Sequence, residues 1–402
     1  MTGPALFSAI EMAPRDPILG ITEAFNADAN PGKVNLGVGV YTDDTGKVPL
    51  LDCVRQAESR LVANAAPRSY LPIDGLASYD KLVQGLVFGA DSPVVSEGRA
   101  VTVQSLGGTG GLKIGADFLK RFNPEAEVWI SDPSWENHRA LFEAAGFAVK
   151  TYPYYDAASH GVNFSGLLSA LEGARANTIV VLHACCHNPS GVDLTDAQWD
   201  QVIEVVGRRQ LVSFLDLAYQ GFSRSIAEDG AVVRRFAATG RPLLVSNSFS
   251  KSFSLYGERI GAFSLVANTR EEAQRILSQV KRIVRTNYSN PPTHGAQIVA
   301  TVLGTPELRT LWETELGAMR ERIKTMRQDF VTKLKARLPH HDFSFVAHQS
   351  GMFSFSGLTQ PQVARLKSEF SVYAVDSGRI CVAALNTRNI DTVVDAIAKV
   401  VS

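Results

Sequence analysis

The sequence predicts an α/β fold, a large domain with a mainly parallel sheet flanked by helices, joined to a smaller α+β domain. Three observations predict it. From about residue 100 to about residue 267, short apolar runs alternate with helix-length segments, and the run at 178–186 is apolar almost throughout. Strands buried on both faces read this way, and intervening helices bring the chain back for parallel pairing. The third is length: 402 residues exceed what one core accommodates, so two domains are expected.

Taken in order, residues 1–13 read as an N-terminal arm, because Pro4, Pro14 and Pro17 oppose a continuing helix. Residues 34–41 alternate like a short strand, and glycines such as Gly39 let another group approach the backbone. Segments 127–131, 178–186, 211–217, 242–246 and 260–267 read as strands, while 136–145 and 196–207 read as helices. Thr195 with Gln198 three residues on forms a capping box for the second helix. A long helical region follows Thr293. From about residue 319 the rhythm changes: a helix at 319–337, a run around 348–355, a helix behind the capping box Thr359 to Gln362, and short strands at 373–375 and 380–384. These features place the large domain at 47–318 and the small one at 14–46 plus 319–402.

Composition narrows the partners. Lys plus Arg equals Asp plus Glu at 40 each, and no basic run stands out, so neither nucleic acid nor an anionic membrane is expected. Small molecules are the expected ligands. Hydrophobic residues make up 45%, but no apolar run reaches membrane-spanning length. Glu11 and Asp16 interrupt the N-terminus early, so no signal peptide is read and a cytoplasmic protein is expected. The four cysteines, Cys53, Cys185, Cys186 and Cys381, are too few for a disulfide framework and read as small buried hydrophobes.

Several stretches carry chemistry. Lys251, in Ser-Asn-Ser-Phe-Ser-Lys-Ser-Phe, follows the apolar run Leu243, Leu244, Val245. A lysine where a buried strand ends is either an ordinary surface lysine among serines or one partly desolvated yet reachable, whose lowered ammonium pKa suits the amine to a Schiff base with a carbonyl cofactor. Gly107-Gly108-Thr109-Gly110-Gly111 precedes Leu112, Gly115, Ala116, Leu119 and Phe122 at helical spacing. Such a turn is either a phosphate site or a tight turn with close helix packing. It matches neither a Walker A loop nor the dinucleotide fingerprint. Asp216 sits at the end of another strand with Tyr219 three residues on; a buried carboxylate there needs a cationic partner. Asn188, in His187-Asn-Pro-Ser-Gly, offers an amide at a sheet edge, and Trp135 an indole that can stack on a planar ligand or pack in the core. His138, His183 and His187 are too scattered to argue for a metal, and none is expected. Arg285 and Arg379 lie in weakly charged surroundings, where a guanidinium fork meets a carboxylate of ligand or protein.

Together these segments resemble one family, the fold type I pyridoxal phosphate enzymes, and within it the aspartate and aromatic aminotransferases. The resemblance runs from Asp16-Pro-Ile-Leu-Gly through Tyr70-Leu-Pro-Ile-Asp-Gly, the glycine turn, Asp132-Pro-Ser-Trp-Glu-Asn-His, Cys186-His-Asn-Pro-Ser-Gly, Asp216-Leu-Ala-Tyr-Gln-Gly-Phe and Ser248-Phe-Ser-Lys to Gly378-Arg379. It implies a sheet of the seven-stranded type, pyridoxal 5′-phosphate as cofactor, and a homodimer with shared active sites. Lys251 would hold the cofactor and shuttle the substrate proton. Asp216 would keep the pyridine nitrogen protonated, with His138 and His183 behind it. Tyr219 and Asn188 would bond the phenolic oxygen, and Trp135 would stack on the ring. Gly108, Thr109, Ser248 and Arg259 would hold the phosphate, with Tyr70 reaching over from the other subunit. Arg379 would bind the substrate α-carboxylate and Arg285, across the dimer interface, a distal carboxylate; Gly39, Trp135 and Asn188 complete the implied substrate site.

On specificity the resemblance divides. The stretch around Lys251 looks like the aromatic branch, whereas Asn-Tyr-Ser-Asn-Pro-Pro after Arg285 looks like the aspartate branch. The expected activity is transamination of aromatic and dicarboxylic amino acids with 2-oxoglutarate, with a strict aspartate aminotransferase as the alternative. Ser190, Ala184 and Ala384 depart from the family's usual Thr, Pro or Gly, and Gly, without removing a catalytic group. A lyase is disfavoured by the two arginines, and a transcriptional regulator by the lack of room for a DNA-binding module.

Overall fold

The computed structural model describes residues 7–13 and 19–402. Pro4, Pro14, Pro17 and the motif that starts at Asp16 begin outside these residues. Of the expected arm, Phe7, Ile10 and Met12 stand exposed.

The centre is a seven-stranded sheet: β1 (Ala100–Leu106), β2 (Glu127–Asp132), β3 (Ala148–Pro153), β4 (Ile179–His183), β5 (Val212–Leu217), β6 (Leu243–Ser248) and β7 (Ile260–Val266). Their spatial order is β1-β7-β6-β5-β4-β2-β3. Strand β7 runs antiparallel to β1 and β6, and every other pair is parallel. Successive side chains of a strand point to opposite faces, and the core divides accordingly. Val180, Leu182, Leu215, Val245 and Ala262 join one apolar cluster, while Ile179, Val181, Phe214, Leu244 and Phe263 join another. Both faces are covered, which explains why the central strands are apolar without alternation.

The apolar pattern stops where the strands end, and there the register matters. His183 of β4 pairs with Asp216 of β5, and Asp216 with Ser246 of β6. Polar groups far apart in sequence therefore meet along one edge of the sheet. Helix Gly107–Phe122 packs closely here: a Cβ on Gly111 would lie 2.6 Å from Ser246 Oγ, and one on Gly115 would lie 2.4 Å from Phe214 Cζ. Gly261 is hemmed in by backbone instead, its Cβ position being 2.5 Å from the Gly107 carbonyl carbon and 2.7 Å from Asn247 O. Backbone cannot step aside as a side chain can. Gly261→Ala is therefore expected to lower stability by about 1–3 kcal/mol, as overpacking does, seen as a lower urea midpoint at unchanged slope.

Outside the sheet, Val34–Asn35 pairs in parallel with Val372–Tyr373, and Phe353–Phe355 pairs antiparallel with Arg379–Cys381. The strand expected over 34–41 is thus two residues long, and Gly37 and Gly39 lie in irregular chain beyond it. The segment expected as a strand at 380–384 divides into that short strand and a 3₁₀ turn at Val382–Ala384. Both capping boxes form, at Thr195 with Gln198 and at Thr359 with Gln362. The helix expected to start at 319 begins at Pro306 and runs unbroken to Arg337. Buried Leu308, Trp312, Leu316, Met319, Ile323, Met326, Phe330 and Leu334 recur every three or four residues, so one apolar stripe carries the helix across residue 319. Among the described residues, no helix is long and apolar enough to cross a membrane.

Candidate active site

Asp216 is buried at the end of β5, where desolvation by itself raises a carboxyl pKa. His138 Nε2 lies 2.9 Å from Asp216 Oδ2, and His138 Nδ1 lies 2.9 Å from Ser134 Oγ. Burial pushes Asp216 up, but the His138 hydrogen bond and nearby positive charge, including Lys251, outweigh it and hold the carboxyl below its usual range. The group is a buried carboxylate facing a cavity. Behind it the His183 ring stands 5.0 Å from that of His138, and burial brings its pKa down to about 3, leaving it neutral.

Lys251 follows β6 in a turn closed by Ser254 N–H donating to Lys251 O at 3.1 Å. Desolvation lowers its pKa to about 8; the Asp216 charge opposes the shift and Arg259 adds to it. The amine sits 4.9 Å from the centroid of the Tyr219 ring. A lysine in this state is substantially available as a neutral nucleophile near neutral pH.

A row of polar groups crosses the cavity. Asn188 Nδ2 donates to Tyr219 OH at 3.4 Å, while Arg379 Nη1 donates to Asn188 Oδ1 at 3.3 Å and Nη2 to Gly37 O at 2.5 Å. The Arg379 guanidinium stacks 4.5 Å from the Phe353 ring centroid, and its buried Nε has no hydrogen-bond partner. No carboxylate of the described residues pairs with it, so a buried fork is left for an anion. The loop bearing Asn188 is fixed by Asp193, whose carboxylate accepts from Cys186 N and His187 N, each at 2.8 Å.

At the other end, the glycine turn opens helix Gly107–Phe122 directly from β1. Gly107 has φ of +68°, and a Cβ there would lie 2.6 Å from Arg259 Nη2. A Cβ on Gly108 would lie 3.2 Å from Ser248 Cβ. Free N–H groups of a first helical turn, two serine hydroxyls and a guanidinium therefore converge. Arg259 Nη1 donates to Ser250 Oγ at 3.3 Å and Tyr256 O at 3.1 Å, both neutral acceptors.

One cavity of about 490 Å³ is lined by Gly39, Gly108, Thr109, Trp135, Asn188 and Asp216 together with Tyr219, Ser248, Lys251, Arg259 and Arg379. Tyr70, 93% exposed, and Arg285, also exposed and bonded to Ser289, do not line the cavity of their own chain. Sequence reasoning did not single out Ser250, Tyr256, Asn137 or Phe353, which also line it. Ser250 and Asn137 stand inside stretches already quoted for Lys251 and Trp135, and Tyr256 lies three residues beyond the first; Phe353 lies in an apolar run with no distinguishing signal.

A family model described as aminotransferase class I and II matches residues 31–397. The chain belongs to that family. This aminotransferase is 62% identical over 396 residues to a Pseudomonas aeruginosa aspartate aminotransferase, covering 98% of this chain and 100% of the relative. It is 50% identical over 398 residues to an Escherichia coli aromatic-amino-acid aminotransferase, covering 98% and 100%. Among solved structures, an aromatic-amino-acid aminotransferase from Burkholderia pseudomallei, covalently bound to pyridoxal phosphate, superposes with a TM-score of 0.97 at 64% identity, covering 99% of this chain and 100% of that one. The expected seven-stranded, mainly parallel sheet is the one the aminotransferase has.

Proposed function

We propose that the protein is a pyridoxal phosphate-dependent transaminase that moves an amino group between aromatic or dicarboxylic amino acids and 2-oxoglutarate. The observation that carries this reading is the half-buried Lys251 amine, with its pKa lowered to about 8, in one cavity with the Asp216 carboxylate and the Arg379 fork. The cavity's two ends fit the cofactor. The Gly107 and Gly108 cradle, where a Cβ would collide, faces an arginine bonded only to neutral acceptors and suits a phosphate dianion. The ionised Asp216 suits a protonated ring nitrogen.

When bound, pyridoxal 5′-phosphate supplies an aldehyde that combines with amines and a protonated ring that takes up the electron pair left as the α-proton departs. The protein's side chains do the rest. Lys251 would hold the cofactor, and its amine is placed to take the substrate's α-proton and return it. Asp216, kept ionised by His138, holds a proton on the ring nitrogen. Tyr219 and Asn188 hold the phenolic oxygen, and Trp135 covers the ring. Gly108, Thr109, Ser248 and Arg259 bind the phosphate. Arg379 binds the α-carboxylate, and closure of the segment carrying it would exclude water.

Tyr70 and Arg285 take part in this reading through a homodimer with shared sites, each completing the partner's cavity, in keeping with their exposure on their own chain. Arg285 would clamp a distal carboxylate and rehydrate when an aromatic ring takes its place, since a buried unpaired charge costs several kcal/mol. A strict aspartate aminotransferase is the second reading, favoured by the 62% identity to a relative of that name. The test supplies 2-oxoglutarate with either phenylalanine or aspartate and follows glutamate. Glutamate is expected from both. In Arg285→Leu, kcat/KM for aspartate should fall by about 3–5 kcal/mol, roughly 10²–10⁴-fold, with phenylalanine nearly unchanged. Equal losses would contradict the clamp, and no glutamate from phenylalanine would favour the second reading.

A further inference from the structure

A second cavity, of about 240 Å³, lies against segment 184–196 and shares no lining residue with the first. Beside it, with Cys185 and Asp229 in its lining, Cys185 Sγ, Cys186 Sγ and an Asp229 carboxylate oxygen lie within 4.8 Å of one another, and all three residues are buried. We propose that these three residues form a site for a soft divalent cation, Zn²⁺ or Cd²⁺, whose binding lowers transaminase turnover.

The geometry is close to what such an ion needs. For any three atoms no more than 4.8 Å apart there is a point within about 2.8 Å of all of them, against about 2.3 Å for zinc–sulfur and 2.0–2.2 Å for zinc–carboxylate bonds. Small side-chain rotations close that gap. Two thiolates with one carboxylate are a ligand set for soft metals, and Cys185 and Asp229 face the cavity, from which water can supply a fourth ligand.

Charge favours a cation as well. Its bond to Cys186 lowers Cys185, but burial and the charges of Asp229, Asp193 and Asp216 outweigh this and push the thiol up to about 11; burial pushes Cys186 higher. Burial likewise raises Asp229, and Asp193 to about 6. Asp196 and Glu228 line the same cavity, and Arg224 is the cation there. An ion must displace the two thiol protons to solvent, which burial opposes, while the charges of Asp229, Asp193 and Asp216 favour the cation. Asp229 already accepts from Gly221 N, Ser223 N and Arg224 N, and a carboxylate's four acceptor positions leave one for the metal.

Occupation would reach the catalytic cavity through Cys186. Its thiol donates to Tyr219 O at 3.8 Å, and it precedes Asn188 by two residues. Losing that proton removes the bond to Tyr219, and drawing the sulfur toward a metal shifts the turn that aims Asn188. His138, His183 and Asp216 also converge, but they belong to the first cavity and are not proposed as a metal site.

The test titrates the holoenzyme with Cd²⁺, counts bound cadmium, and follows both the sulfur-to-cadmium charge-transfer band and turnover. One cadmium per chain is expected, with turnover lost in step. Cys185→Ser and Cys186→Ala should each weaken binding at least as much as the ~10–100-fold that outer partners of metal ligands are worth, while Cys53→Ser, outside the cluster, binds as wild type. Should Cys186→Ala not fold, Cys185→Ser decides alone. Absence of the band, or its survival in Cys185→Ser, overturns the site. Cadmium bound at full turnover overturns the inhibitory link, which rests on the transaminase reading, whereas the band does not.

Discussion

Replacing Lys251 with alanine is expected to reduce transamination by on the order of 10⁶-fold, the scale reached when a residue that acts as a unit with its neighbours is removed. Two roles disappear together: the amine that holds the cofactor and the base that moves the substrate's α-proton. The variant should still bind pyridoxal phosphate through the glycine cradle and Arg259, but without the visible band of covalently held cofactor. Lys251→Arg keeps a charge yet should not rescue turnover, because a guanidinium is never deprotonated near neutral pH. A pH test isolates the role of burial. With the pKa lowered to about 8, about one amine in ten is neutral at pH 7, against fewer than one in a thousand for an unperturbed lysine. Cofactor uptake by the cofactor-free protein should therefore rise with pH and level off above 8. Asp216 raises the Lys251 pKa, so Asp216→Asn should move that midpoint downward. A midpoint near 10 in the wild type, or normal turnover in Lys251→Ala, would sink the assignment.

What the sequence made legible follows the same division between local and distant chemistry. Lys251 and Asp216 could be read because each sits where an apolar run stops, and the glycine turn because its glycines precede apolar residues at helical spacing; each is a feature local to the chain. The register that aligns His183, Asp216 and Ser246 is not local, nor is the bond between Asn188 and Arg379, which are 191 residues apart. The resemblance put His183 behind Asp216 and Asn188 in one site with Arg379, but not Ser246 beside Asp216 nor the Asn188–Arg379 bond. Strand β1 escaped notice because it carries Thr102, Gln104 and Ser105 in its interior. Thr102 and Ser264 hydroxyls lie 2.8 Å apart across β1 and β7, so the polar groups satisfy one another and the strand is buried without being apolar. Phe353 lacked any signal because its role depends on Arg379 stacking against it. The His138, His183 and Asp216 cluster, and that of Cys185, Cys186 and Asp229, have no motif spacing, since sheet register and turns assemble them.

Arg379→Leu is expected to lower kcat/KM for every amino acid, by about 3–5 kcal/mol or roughly 10²–10⁴-fold, because a substrate carboxylate would be left buried without its partner. This contrasts with Arg285→Leu, which should spare aromatic substrates. Arg379→Lys should recover little, since an ammonium cannot reproduce the two-pronged contact. Stability should respond in the opposite sense. In the substrate-free protein the Arg379 guanidinium is 1% exposed, and its partners are Asn188 Oδ1, Gly37 O and the face of Phe353, none of them charged. Removing it sacrifices two hydrogen bonds at about 1 kcal/mol each but relieves several kcal/mol of uncompensated desolvation. The leucine variant should therefore unfold at the same temperature as wild type or higher, and a saturating dicarboxylate should no longer raise its midpoint. A variant with unchanged KM and a lower midpoint would make Arg379 a scaffold residue. The expected pattern makes it a charge kept buried at the expense of stability so that an anion can complete it.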